Sequence, residues 1–333
     1  MVVMRVRGWQ SSCMHLEMCL RLVQWVSGCR FGNIAFYTSR YLSKTSDSSR
    51  SEAAMEFMGS MSEIKRVSPG VVLKKPHNFK DQGLAEQVAN CFTVEQQILP
   101  RLGDHPRIVK YVLSQVTIPQ RKAAHIITRY LGLQGDRILL GEASHGDIQT
   151  YLDSHPSTSL DQRLLWCRQI AESIDYIYSC GVLHSDLRPG NILVHEIVPG
   201  ARDLLLSDFG GSVCEELKVD GKALPDGPFY SPVFGWESSV LLDLFGLGSL
   251  MYTILAGMWP YKETPGPLAG DEMLNWEEEV VHPKMKRKEF PEGDHLPRGE
   301  VILKCWKREF ASAKEVEDAL DKALRGQGDS FEI

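Results

Sequence analysis

The chain has 333 residues, 43% of them apolar and 24% charged, with a formal net charge of -6. That length allows one large domain or two of ordinary size and excludes a small disulfide-stapled scaffold. Seventeen prolines and a 9% aromatic share exclude whole-chain disorder, because such a composition buries enough surface to offset chain entropy. With 43 acidic against 37 basic residues there is no global attraction to phosphate backbones, and no local patch suited to nucleic acid stands out.

No window holds the roughly 18 uninterrupted apolar residues of a membrane span. Leu241 to Leu255 is too short and is cut by Asp243, so no membrane segment is expected. The eight cysteines are Cys13, Cys19, Cys29, Cys91, Cys167, Cys180, Cys214 and Cys305. None shows the paired C-x-x-C spacing of a zinc site, and the expectation is reduced, mostly buried thiols in a cytoplasmic or nuclear protein.

Residues 1–50 carry seven basic residues against two acidic ones and pass into the polar stretch Ser43 to Ser51, which reads as a linker. Residues 1–55 are therefore expected to be a poorly ordered extension, although their basic, acid-poor composition is also that of a mitochondrial transit segment. No repeat at periods of about 20 to 50 residues is visible. From Glu56 onward the pattern sharpens. Val71-Val72-Leu73, behind the turn Pro69-Gly70, predicts a strand at the end of a hairpin, closed by Pro76. Residues 84–102 place Ala85, Val88, Ala89, Phe92, Ile98, Leu99 and Leu102 at helical spacings, with Gly103 as a stop. Ile108 to Val116, Ala124 to Tyr130 and Arg137 to Leu140 read as short strands, and Asp147–Ser154 and Leu160–Ser179 as helices. Strands first and helices afterwards predict an α+β, two-lobed chain.

The decisive segment is Val182-Leu183-His184-Ser185-Asp186-Leu187-Arg188-Pro189-Gly190-Asn191-Ile192-Leu193-Val194, followed by Leu204-Leu205-Leu206-Ser207-Asp208-Phe209-Gly210-Gly211. Two apolar strand-like runs each abut a carboxylate. Phosphoryl transfer needs a carboxylate that orients the attacking hydroxyl, an amide and a second carboxylate that hold a divalent ion, and a cation on the phosphate. Asp186, Asn191, Asp208 and Arg188 match those four jobs.

The segment resembles the catalytic loop H-R-D-x-x-x-x-N and the metal loop D-F-G of eukaryotic protein kinases. The resemblance runs over about residues 57 to 325. Val71-Val72-Leu73-Lys74 is similar to the V-A-I-K strand, with Lys75 as the alternative lysine, and Glu95 resembles the glutamate that pairs with it. His105-Pro106-Arg107-Ile108-Val109 looks like the turn after that glutamate's helix. Asp243-Leu244-Phe245-Gly246-Leu247-Gly248 is similar to the helix whose buried aspartate braces the catalytic loop, unless Asp243 is merely a helix cap. Cys305-Trp306, Ser312-Ala313 and Glu315-Val316 resemble the closing helices.

What the resemblance implies is a bilobal fold, with a β-rich lobe at 56–141, a helical lobe at 142–325 and a tail at 326–333. ATP and Mg²⁺ would bind between the lobes: Asn191 and Asp208 on metal, Lys74 with Glu95 on the phosphates, Gly59 beneath them, and the Glu142 carbonyl and Ser144 amide on adenine. In that register Gly141 fronts the rear pocket, so bulky N6-substituted ATP analogues are expected to enter. The implied reaction moves the γ-phosphoryl group to a protein hydroxyl, with Asp186 as base and Arg188 stabilising charge. Leu187-Arg188-Pro189-Gly190-Asn191 leans towards serine/threonine substrates, and His184 is expected to pack rather than react.

The chain also departs from the family pattern. Met58-Gly59-Ser60-Met61-Ser62 holds one glycine where G-x-G-x-x-G would bring backbone amides to the phosphates. Ser185 replaces the arginine that meets a phosphorylated activation loop. In Phe229-Tyr230-Ser231-Pro232-Val233 no glutamate directly follows Pro232, and no arginine precedes Ser312 at the place where its partner would sit; joint loss of such a pair is nearly neutral. A catalytically silent scaffold is the main alternative. A small-molecule phosphotransferase with a similar H-x-D-x-x-x-x-N loop is the second.

Overall fold

A computed structural model of the chain describes residues 56–58, 61–112, 137–235, 237–265, 268 and 270–325. The expected N-terminal extension, Gly59, the strand read at 124–130 and the C-terminal tail lie outside them.

Four antiparallel strands, β1 (Glu56–Met58), β2 (Ser62–Ser68), β3 (Val71–Pro76) and β4 (Ile138–Gly141), form one sheet in that order. Gly70 closes the β2–β3 turn at φ 75, where a side chain would be strained. Across β3 and β4 the register pairs Val72 with Leu140 and Lys74 with Ile138. Directly paired residues share a face and alternate residues along a strand return to it, so Val72, Lys74, Ile138 and Leu140 point the same way.

Helix α1 (Gln82–Leu102) packs beside β3. It starts two residues before the predicted run because the Asp81 side chain caps it, accepting from the Leu84 amide at 2.8 Å. Its buried stripe comprises Val88, Cys91, Phe92, Val94, Glu95, Ile98, Leu99 and Leu102, one face of a 3.6-residue period. The strand expected from Ile108 is not continuous: over residues 108–112 there are only single bridges, Ile108 with Leu206 and Tyr111 with Leu140. This apolar run clips the sheet to the helical part instead, since Val109 N donates to Leu206 O at 2.9 Å and Leu206 N to Arg107 O at 2.8 Å.

The helical part contains α2 (Ile148–Ser154), α3 (Leu160–Ser179), α4 (Val240–Ala256), α5 (Gly270–Trp276), α6 (His282–Lys286), α7 (Gly299–Trp306) and α8 (Ala313–Arg325). Between α3 and α4 run two hairpins, β5 (Ile192–Val198) with β6 (Ala201–Leu206), and β7 (Val213–Cys214) with β8 (Val219–Asp220). Every residue of α4 from Leu242 to Ile254 is buried, as expected of a helix apolar all round. The Ser239 hydroxyl caps α4, accepting from Leu242 N at 3.2 Å, which leaves Asp243 free for another task. Trp306 of α7 donates from Nε1 to Ser249 Oγ at 3.0 Å, and Ser249 donates in turn to Pro228 O at 2.6 Å. Gly248 permits this closeness: a Cβ there would sit 2.7 Å from Cys305 Cβ.

Gly248→Ala should therefore destabilise the chain by about 2 kcal/mol, because overpacking two rigid helices outweighs the gain in helix propensity. Urea denaturation should show a lower midpoint at an unchanged slope.

Candidate active site

Burial selects the lysine. Lys74 is 5% exposed, whereas Lys75 alternates to the surface and pairs with Glu63 at 2.9 Å. The Lys74 ammonium donates to Glu95 Oε2 at 2.6 Å and to Asp208 Oδ1 at 2.8 Å, and lies over the Phe92 ring. Burial works against its charge, but Asp208 and Glu95 outweigh that and raise its pKa, so it stays protonated. Burial likewise opposes ionisation of Asp208. The ammonium in contact overcomes it, with Arg188 adding to the effect, and brings the carboxyl down to about 2.

The loop that carries His184 to Asn191 follows α3 and is held from behind by α4. Asp243 accepts the His184 amide on Oδ2 and the Ser185 amide on Oδ1, both at 2.8 Å. It braces the loop rather than capping a helix. Ser185 needs such a brace, since its φ of 68 is unfavourable for any side chain with a Cβ. His184 is fully buried, with Nε2 at 3.1 Å from Ser207 O and Nδ1 accepting from Asp186 N at 3.3 Å. Burial lowers its pKa to about 4, so the neutral ring packs as expected.

Asp186, Asn191 and Asp208 come together through the β5–β6 pairing. Asn191 Nδ2 donates to the Asp186 carbonyl at 2.7 Å and to its Oδ2 at 3.0 Å. The Asn191 carbonyl accepts from both the amide and the hydroxyl of Ser207, each at 2.9 Å, which seats it beside the start of the Asp208 loop. Asp208 itself is left-handed, φ 61, with Phe209 fully buried behind it. Burial, partly offset by Arg188, raises the pKa of Asp186. Its Oδ1 is buried and has no hydrogen-bond partner. Arg188 reaches Asp186 Oδ2 from Nε at 3.3 Å and Asp226 Oδ2 from Nη1 at 3.8 Å. Nothing in the sequence singles out Asp226, which sits on a loop before Gly227. Burial brings its carboxyl to about 7.

The oxygen donors suit Mg²⁺. Among the described residues no three His, Cys, Asp or Glu side chains converge as a metal cage. Asn191 gives its amide nitrogen to Asp186, leaving Oδ1 as acceptor, and Asp208 retains Oδ2 beyond Lys74. One carboxylate and one amide, completed by substrate phosphates and water, is the arrangement Mg²⁺ takes.

The connection after β4 corrects one expectation. Gly141 does not front the rear pocket: its missing side chain faces Lys110, where a Cβ would lie 3.1 Å from Lys110 Cβ. Leu140, buried and paired with Val72, lies on the Lys74 face instead. The Glu142 amide bonds Gly70 O at 2.9 Å, its carboxylate binds Arg66, and the Ser144 hydroxyl accepts from Glu196 N at 2.8 Å. The Arg308 guanidinium lies over the Phe234 ring at 4.9 Å, and Phe234 packs edge-on against Phe245.

The family profile described as protein kinase domain matches residues 59–309. The chain belongs to the protein kinase family. It is 26% identical over 249 residues to 3-phosphoinositide-dependent protein kinase 1 of Rattus norvegicus, covering 71% of this chain and 38% of that relative. Ribosomal protein S6 kinase alpha-2 of Homo sapiens is 29% identical over 182 residues, 51% of this chain and 22% of its own length. A solved structure, the Rad53 kinase domain and SCD2, is 19% identical at a TM-score of 0.48, covering 79% of this chain and 94% of that one. The chain thus spans well under half the length of these curated kinases. Among the described residues no helix is long and apolar enough to cross a membrane.

Asp243→Asn would turn an amide N–H₂ towards one of two buried backbone donors. The expected result is a stability loss of about 1–3 kcal/mol in thermal unfolding, with increased amide exchange at His184 and Ser185.

Proposed function

We propose that this kinase transfers the γ-phosphoryl group of ATP to a serine or threonine hydroxyl of a protein. The observation that carries the proposal is the Lys74 ammonium bonded to both Glu95 and Asp208, because it ties the sheet and α1 to the metal loop. Kinases of this family generally use ATP with Mg²⁺, and the chain's donors suit both. Asn191 and Asp208 would hold the ion, which when bound supplies positive charge to the phosphate oxygens.

The chain's own residues do the rest. Asp186 Oδ1, without a protein partner, orients the hydroxyl and accepts its proton as the new oxygen–phosphorus bond forms and the bond to the leaving ADP oxygen breaks. Lys74 positions the phosphates. Arg188, 12% exposed at its side chain, supplies the second cation. Counted from Leu140 rather than Gly141, the backbone groups offered to adenine move from Glu142 and Ser144 to the Gly141 carbonyl and the Ala143 amide. The lean to serine/threonine rests on Leu187 to Asn191. The proposed lobes are 56–141 and 142–325, and the free cysteines among the described residues accord with a cytoplasmic or nuclear compartment.

One observation favours the scaffold reading. Met58 pairs with Glu63, so only residues 59–62 join β1 to β2, with a single glycine for the phosphates. A radiolabelled ATP assay on the full chain, wild type beside Asp186→Asn, separates the two. Transfer should fall by about a hundredfold or more in the variant with ATP affinity kept. Because burial raises the pKa of Asp186, wild-type kcat/KM should fall with acid at a pH above the ordinary aspartate range. Wild-type ATP binding without transfer would support the scaffold.

Leu140 yields a separate expectation, the reverse of the one drawn from Gly141. Bulky N6-substituted ATP analogues should fail to compete in the wild type and should compete after Leu140→Gly.

A further inference from the structure

The stretch from Asp208 to Phe229 contains one hydroxyl, Ser212, which is fully buried and donates to His184 O at 3.2 Å. The exposed part of this activation segment therefore offers no phosphate acceptor, and Ser185 offers no cation to receive a phosphate. Something else must fix the segment against the metal loop. The β7–β8 hairpin does so through its backbone. Val213 exchanges two hydrogen bonds of 2.9 Å with Leu183, and Gly221 N donates to Ser212 O at 3.0 Å. Helix α1 closes the other side: Asn90 Nδ2 donates to Asp220 O at 2.9 Å and Cys91 Sγ to Gly221 O at 3.7 Å. At the hairpin tip, Arg101 pairs with Glu216 at 2.5 Å.

Gly221 is the tightest point. A Cβ there would fall 2.6 Å from Gly211 Cα and 2.7 Å from the Gly211 carbonyl carbon, with the Gly210 carbonyl oxygen closer still. Real Cβ atoms do not approach backbone so closely, and neither neighbour is the flexible end of a side chain. Gly210 and Gly211 directly follow Asp208-Phe209, so displacing them displaces the carboxylate that meets Lys74. Gly210 has no room to retreat, since its own Cβ position already lies 3.1 Å from Cys91 Cβ.

We propose that Gly221 is a positioning residue: its missing side chain seats the activation segment on Gly210 and Gly211, and so sets Asp208 without any phosphate on the segment. The proposal deepens the phosphoryl-transfer reading and rests on it for its catalytic consequence. Kinase control would then reach this centre through α1, whose Asn90, Cys91 and Arg101 hold the hairpin, rather than through phosphorylation of residues 213–228.

The test compares full-length wild type, Gly221→Ala and Asn90→Ala. Amide hydrogen exchange is measured without ligand, and turnover with ATP and Mg²⁺ before and after phosphatase treatment. Gly221→Ala should raise exchange across 210–222 while the remaining core stays protected, and lower kcat by about a hundredfold. Asn90→Ala, which removes one hydrogen bond and adds no bulk, should act in the same direction more weakly. Phosphatase should leave the wild-type rate unchanged. Wild-type exchange and turnover in Gly221→Ala, or loss of activity on phosphatase treatment, would overturn the proposal. If Gly221→Ala does not fold, unaltered exchange at 210–222 in Asn90→Ala overturns it instead. If the wild type transfers no phosphate, the kinase reading fails alone, and the exchange comparison still decides the seat.

Discussion

An ammonium group removed from water must be balanced, and Lys74 is the place where this chain meets that demand. Leaving a buried charge without its partner costs about 3–5 kcal/mol. The two partners come from different parts of the fold, Glu95 from α1 and Asp208 from beyond β6, at 2.6 and 2.8 Å. One charge thereby fixes the sheet, the helix beside it and the metal loop relative to each other. The arrangement also explains why the Asp208 carboxyl, 40% exposed at its side chain, stays ionised well below the usual carboxylate range.

A second, independent constraint works from the opposite side. Asp243 sits in an apolar helix buried throughout from Leu242 to Ile254, yet both of its oxygens are occupied by backbone amides of His184 and Ser185. The strained turn at Ser185 presents Asp186, and Asn191 closes the loop by bonding back to Asp186. Lys74 therefore fixes the Asp208 side of the proposed centre and Asp243 the Asp186 side, while the Ser207–Asn191 hydrogen bonds join the two. Gly221 and its neighbours add a third contact, where close backbone approach replaces charge.

Those parts of the site that lie within one short segment were legible in the sequence. Asp186, Asn191 and Asp208 sit on one hairpin and its flanks, so their order and spacing already imply their juxtaposition. The α3 boundaries, Leu160–Ser179, follow from a clear period and the cap at Ser159. Lys74 and Lys75 were equivalent in sequence, and only strand alternation with burial separates them. Gly141 was misplaced by one residue because counting through Glu142-Ala143-Ser144 offers no fixed point, whereas pairing of Val72 with Leu140 supplies one. The run at Ile108 has the composition of a strand, but its partner is Leu206, nearly a hundred residues later, and no local pattern announces that. Asp226 and Gly221 were hidden for the same reason: their meaning lies in what the fold brings against them.

The most direct measurement of the central claim is calorimetric titration of ATP into the full-length chain, once with Mg²⁺ and once with a chelator. If Lys74, Asp208 and Asn191 form one nucleotide–metal centre, ATP should bind at least about tenfold tighter with Mg²⁺, a difference of about 1.4 kcal/mol. That difference should vanish in Asp208→Asn. Equal affinity with and without the ion in the wild type, or no binding in either, would contradict the account.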